Sequence, residues 1–378
     1  MNGTTKISGI QMFFLILTFN VALPIMELIT TTVKQAKQDA WIAAAISTLV
    51  SMLFTYIALL ISQKYPEENF VGCLRQVFGK FLGSILAILY AVQWVVVAGF
   101  AARQTTDFLM PALQLYETPR SVVLMCIFLL VAYAAMLGGV ESIARCSELL
   151  GPLVIVTIAL VVFLTINVQH LDYLLPVLQP HLARNLVDGS IPSISFLTSS
   201  APAMVLYPHL SDKNSYRTAI WGVGASGVIL VMCTVATLAT FGANLPAKIW
   251  NPFFMLTRYI SIADFIQNID AIVIVIWFLS AFIRVALYAW VAVETTADFI
   301  GSDIKWTVAV VCAVGFIVSV GPPSIVHSTI LYPGWIIGPI VLPVLLMGVP
   351  ALGLIIAHFK KGRAPRQRKK GRTRMAAR

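Results

Sequence analysis

Charge is what this chain has least of. Asp, Glu, Lys and Arg make up 11% of its 378 residues, against 59% hydrophobic ones, where a soluble domain carries about a quarter charged residues. With a mean hydropathy of +0.88, that balance excludes an ordinary soluble domain and reads as an integral membrane protein. Cysteine is sparse too: Cys73, Cys126, Cys146, Cys233 and Cys312 are scattered, with no CxxC. They read as small apolar helix residues and exclude a disulfide framework or a cysteine metal site. The histidines are isolated, and no phosphate loop, zinc spacing or catalytic constellation is present, so neither an enzyme nor a cofactor or metal is expected. Gly222-Val-Gly224-Ala-Ser-Gly227 matches GxGxxG letter for letter. It sits inside an apolar crossing with no strand before it, so it reads as small residues that let two helices approach closely.

The positive charge that exists is concentrated. The segment from Lys360 to Arg378 carries ten of the 26 basic residues and no acid, leaving sixteen of each sign elsewhere. A basic stretch straight after a membrane helix binds anionic lipid, at about 1 kcal/mol per residue near the surface. Without aromatic interleaving, nucleic acid is not an expected partner.

Ile7 to Met26 holds no charged side chain, which suffices for a helix to cross the ~30 Å hydrocarbon core. It is too long for a signal-peptide core and lacks a small-residue cleavage site, so it is expected to remain in the membrane. Pro24 interrupts it within Asn20-Val21-Ala22-Leu23-Pro24, removing one N–H and blocking the Asn20 carbonyl from its helical bond. Alone, this reads as a kinked helix. The interruption recurs 178 positions later, at Thr198-Ser199-Ser200-Ala201-Pro202. Breaks at corresponding places in two halves point to a transporter's binding site, so these ten residues are the candidate ligand contacts.

The remaining crossings fall near 40–62, 81–106, 122–138 and 149–168 in the first half, and 218–241, 271–293, 306–320 and 335–359 in the second. Between the first two, Phe70, Val71, Leu74, Val77 and Phe78 recur at helical spacing and predict an interfacial amphipathic helix. Residues 242–270 predict a second amphipathic helix, over the outer mouth. Five crossings per half require the second half to enter from the opposite side, a 5+5 inverted repeat spanning about 6–168 and 190–359 in one transmembrane domain, 1–359, with 360–378 as a basic tail. Lysine and arginine favour the side of the two termini, which places both termini in the cytoplasm.

Charges inside crossings mark function or a protein-facing pair. Glu27 and Arg103 lie at comparable outer depths and either pair across an outer gate, or Arg103 snorkels outward while Glu27 faces a vestibule. Arg284 falls near the middle of crossing eight, where the options are a buried pair, a substrate carboxylate or the place of a coupling cation. Glu294, ten positions on and ~15 Å along the helix, is too far away to pair with it. Glu141, Arg145 and Glu148 form a charged elbow before crossing five, spaced as a solvated helix pair.

Three stretches resemble the B subunit of bacterial spore germinant receptors, the spore germination permeases of the amino acid–polyamine–organocation superfamily. They are Lys6-Ile-Ser-Gly-Ile-Gln11-Met-Phe-Phe, Gly139 to Glu148, and Pro252-x5-Arg258-Tyr-Ile260-x4-Phe265-Ile-x3-Asp270. The resemblance covers Lys6 to about Phe359. It implies an all-α, LeuT-like core of about ten transmembrane helices, with helices 1 and 6 broken, in the spore inner membrane. It also implies association with a larger membrane A subunit and a lipoprotein C subunit, and sensing of nutrients such as amino acids. Relatives usually place glycine in the first break; here the Asn20 side chain is the candidate substitute. In LeuT-like transporters helix eight faces the first break, and sodium-coupled members hold a cation between them. That makes Arg284 the candidate occupant of the cation's place, tied to carbonyls around Val21 and Ala22. The reading is therefore a nutrient-binding receptor subunit on a transporter scaffold, or else a proton-coupled amino acid permease.

Overall fold

A computed structural model describes residues 6–21, 24–177, 182–259, 270–324, 327, 341 and 343–360, with the backbone alone at 24–27, 182 and 270. Among these residues every element is helical, apart from one bridge between Ile7 and Leu210. The first half runs α1 (Gly9–Val21), α2 (Pro24–Ala36), α3 (Ala40–Lys64), α4 (Phe70–Phe78), α5 (Lys80–Ala112), α6 (Arg120–Gly138) and α7 (Val140–Leu164). The second runs α8 (Leu182–Leu197), α9 (Ser200–Leu206), α10 (Arg217–Phe241), α11 (Pro252–Thr257), α12 (Asp270–Ile300), α13 (Ile304–Val320) and α14 (Val349–Phe359). Six helical stretches among the described residues are long and apolar enough to cross a membrane; Gly9–Val21, Ile304–Val320 and Pro343–Phe359 are shorter apolar helices.

The halves meet as inverted counterparts should. Helix α3 packs on α10 and α5 on α12, each helix against its own counterpart. Helix α1 packs on α10 while α8 packs on α3, which is the same pairing with the halves exchanged. Glycine sets the first of these approaches. A Cβ at Gly222 would come within 2.8 Å of the Phe13 carbonyl on α1, and one at Gly227 would run into Thr48 on α3.

Both prolines open the second piece of a broken helix. Pro24 is the first residue of α2, and Pro202 lies in the first turn of α9. First-turn N–H groups have no intrahelical acceptor, so proline is tolerated there while its fixed φ starts the helix. The second break is narrower than expected: Thr198 and Ser199 alone lie between α8 and α9, and Ser200, Ala201 and Pro202 are helical.

Three boundaries differ from expectation. The charged elbow Glu141–Glu148 is the first two turns of α7, because Gly139 makes the turn (φ 57°) under the Trp290 ring. Helix α5 runs past Thr106 to Ala112, since the Asp107 charge is paired inside the protein. The connection after α10 holds a short helix, α11; residues 260–269 lie outside the described residues, as do 361–378 of the tail and most of 325–340. The amphipathic segment is helix α4, capped by Asn69, which accepts from Gly72 N, with Phe70, Val71, Leu74 and Val77 buried.

Candidate functional site

The two breaks touch through side chains. Asn20, 1% exposed, donates from Nδ2 to Leu197 O at 3.3 Å and accepts from Ser199 Oγ at 3.2 Å on Oδ1. The last four carbonyls of α8 have no partner in their own helix, and the Asn20 amide supplies one. A single side chain thus joins the end of α1 to both sides of the second break. Thr198 Oγ1 donates to Ser51 Oγ on α3 (3.1 Å), and Ser200 Oγ donates to Leu346 O (3.1 Å). Val21 is buried. Ala22 and Leu23 lie outside the described residues, and of Pro24 and Glu27 only the backbone is described.

Arg284 stands beside this junction. It is 1% exposed, and its Nη1 donates to Phe19 O at 2.7 Å, one of the last four carbonyls of α1. That carbonyl is two and three residues short of the expected Val21 and Ala22. The guanidinium lies 4.9, 5.4 and 5.3 Å from the ring centres of Phe19, Phe196 and Tyr288, and Nη2 donates to Tyr288 OH. Desolvated cation–π contacts contribute about 2 kcal/mol or more. These rings come from α1, α8 and α12, so one cation gathers the first break, the approach to the second, and the eighth crossing. Glu294 is engaged elsewhere, 2.6 Å from His209 Nε2.

A cavity of about 20 Å³, the room of a water molecule, abuts the second break. Thr198 and Pro202 line it, with Gln93, Phe196, Tyr288 and Leu346. Gln93 Oε1 is buried and has no hydrogen-bond partner among the described residues. Sequence reasoning missed Gln93; a lone amide in the apolar middle of α5 was the available signal. It also missed Phe196 and Tyr288, which nothing distinguishes from core aromatics until Arg284 is placed between them.

Of the outer charges, Arg103 can be placed, whereas its expected partner Glu27 has its side chain outside the described residues. Arg103 is 2% exposed and does not snorkel; its Nε donates to Asp107 at 2.8 Å and its Nη1 to Ser319 O. Asp107 also faces Arg120 at 3.2 Å, so α5, α6 and α13 are tied together at that end. Asp107 falls one residue past the crossing expected at 81–106, so the sequence does not mark it as a charge inside the membrane. Glu141 and Arg145 form an i,i+4 pair with Arg145 largely exposed, and Glu148 accepts from Gln11 on α1.

The comparisons give this geometry its context. The family described as "Spore germination protein" matches residues 6–326. Spore germination protein YndE of Bacillus subtilis (strain 168) is 23% identical over 288 residues, covering 74% of this chain and 77% of that protein. Spore germination protein A2 of the same organism is 22% identical over 328 residues, covering 85% and 88%. Among solved structures, a substrate-bound, outward-open Na+-coupled sialic acid symporter aligns at TM-score 0.65 and 12% identity, covering 94% of this chain and 80% of its own. Mhp1, a nucleobase–cation symporter in a closed conformation with bromovinylhydantoin bound, aligns at TM-score 0.60 and 12% identity, covering 94% and 91%. The fold is accordingly the all-α, LeuT-like fold of such transporters, in a multi-pass membrane protein. By the match over residues 6–326, the chain belongs to the spore germination protein family.

Proposed function

We propose that this protein is the nutrient-binding, B-type subunit of a spore germination receptor, built on a transporter scaffold. Its ligand is an amino-acid-type nutrient held between the two breaks, at Asn20–Pro24 and Thr198–Pro202. The observation that carries the reading is the Asn20 bridge to Leu197 O and Ser199. A ligand that competes for these polar groups changes the coupling between the two broken helices, which is what a sensor needs. Arg284 serves as a fixed positive charge beside Phe19 O, in the place where cation-coupled relatives of this fold hold an ion. In this reading the protein sits in the spore inner membrane with both termini in the cytoplasm. It works with an A subunit and a C lipoprotein, and its basic tail meets anionic lipid.

The test is a mutant series in spores. Thr198→Trp, which fills the cavity that Thr198 lines, and Ser199→Trp, which displaces the contact to Asn20, are expected to abolish the nutrient response while normal amounts of protein assemble. A response at unchanged nutrient concentration would refute the assignment. The second reading, a proton-coupled amino acid permease, draws support from the fold shared with symporters. Uptake of labelled amino acid into proteoliposomes holding the purified protein separates the two.

A further inference from the structure

A second cluster of polar side chains lies away from the breaks, at the end of the bundle where the chain enters α1. His209 ends the short turn after α9, and its Nε2 lies 2.6 Å from Glu294 Oε1 on α12. The two side chains are 18% and 16% exposed. The other carboxylate oxygen of Glu294 is buried without a hydrogen-bond partner among the described residues. The backbone of the same histidine holds a third part of the chain: His209 O accepts from Ile7 N at 2.9 Å, and Ser211 N donates to Ile7 O at 3.0 Å. Residues 209–211 therefore clamp the lead-in to α1 by main chain and reach α12 by side chain. Of the charged groups around the pair, Asp298 on α12 feels both Glu294 and His209 and is hydrogen-bonded by Asn69, the cap of α4. Lys213 donates to Tyr207 O and Pro208 O and lies in the field of Glu67 and Lys6.

We propose that His209 and Glu294 form a proton-binding site that latches this end of the molecule shut. Imidazole exchanges its proton near neutrality. With the proton, the contact is an ion pair, and charge-assisted hydrogen bonds are roughly twice as strong as neutral ones. Without it, the contact to Glu294 is a neutral bond, and Glu294 keeps a buried oxygen that no described residue matches, next to Asp298. The latch therefore holds at low pH and loosens as pH rises through the imidazole range. Because His209 O also carries Ile7, loosening releases the lead-in to α1 and the turn after α9 from this end of α12 together, while Arg284 still holds the far end of α1. The inference does not depend on which ligand the breaks hold or on whether it is moved.

Ligand-free, full-length protein is used for the test, with the exposed Cys126 and Cys146 replaced by alanine and spin labels at Ile10→Cys and Ile300→Cys. Both labelled positions are exposed. Pulsed electron-spin distances should show the closed-to-open ratio falling roughly fivefold between about pH 5.5 and about pH 8.5, the difference between a charged and a neutral hydrogen bond. His209→Gln and Glu294→Gln should each flatten that profile, whereas His209→Lys, with a permanent cation, should stay closed at both pH values. A wild-type ratio that ignores pH, or a His209→Gln protein that keeps the wild-type profile, overturns the proposal. If His209→Gln fails to fold, His209→Lys decides alone: a lost pH response supports the latch, and a retained one ends it. Any of these failures leaves the ligand reading of the breaks standing.

Discussion

Arg284 concentrates more consequence than any other described side chain. Replacing it with alanine removes a hydrogen bond from a charged donor, worth about 1.5–3 kcal/mol, and leaves Phe19 O and three rings without their common partner. Arg284→Lys keeps the charge but not the planar fork. On the proposed sensing role, the nutrient response is expected to vanish in Arg284→Ala and to weaken in Arg284→Lys, with wild-type spores responding equally in sodium and potassium buffers. Strict sodium dependence of the wild type would end the idea that Arg284 stands in for a cation. Cys73 gives a separate residue-scale test. Burial, and then the Glu68 carboxylate, push its thiol up to about 12. A raised thiol value means the fold favours the neutral form, so that stabilisation is complete below the ordinary thiol range of about 8.5 and drains away above it. At about pH 9, a maleimide should modify the exposed Cys146 and leave Cys73 untouched until the protein is denatured. Rapid labelling of native Cys73 would contradict its burial.

At the scale of elements, the two prolines were the legible signal, because a residue that cannot donate inside a helix marks where a new helix can start. The second break was drawn too wide: Pro202 belongs to a first turn, which sequence alone does not separate from a break. The partners of charges were less legible. Asp107 lies only four residues from Arg103 but just past the end of the expected crossing. His209 and Glu294 are 85 positions apart, and nothing local announces that they meet. The glycines of α10 make an element-scale prediction. A Cβ at Gly222 meets main chain, the Phe13 carbonyl at 2.8 Å, whereas at Gly224 it meets the flexible end of Met52 at 3.1 Å. Gly222→Ala should destabilise the protein by about 1–3 kcal/mol through overpacking, because α1 must move as a body. Gly224→Ala should be near neutral, since methionine repacks readily. Thermal unfolding in detergent, followed by tryptophan fluorescence, reports both. Equal losses would mean that the main chain of α1 yields at Gly222 as readily as the Met52 side chain does at Gly224.

At the scale of the whole molecule, the basic tail raises the question of where anchoring begins. Lys360, the last described residue, donates from Nζ to Gln76 O and Val77 O at 3.1 and 2.8 Å, closing the C-terminal end of α4. The first residue of the tail therefore already joins the end of the last crossing to the amphipathic helix. A cation on the last carbonyls of an exposed helix is worth about 0.3–1 kcal/mol, while each basic residue near an anionic surface adds about 1 kcal/mol. These two contributions can be separated by where the chain is cut. Truncation after Lys360 should lower binding to anionic vesicles and leave hydrogen exchange in α4 unchanged. Truncation after Phe359 should lower vesicle binding at least as much and also speed exchange at the C-terminal turn of α4. Neither cut should alter nutrient preference, because neither touches the breaks. A changed preference in a normally abundant truncation would mean that the tail belongs to the sensing site, and would count against its role as an anchor.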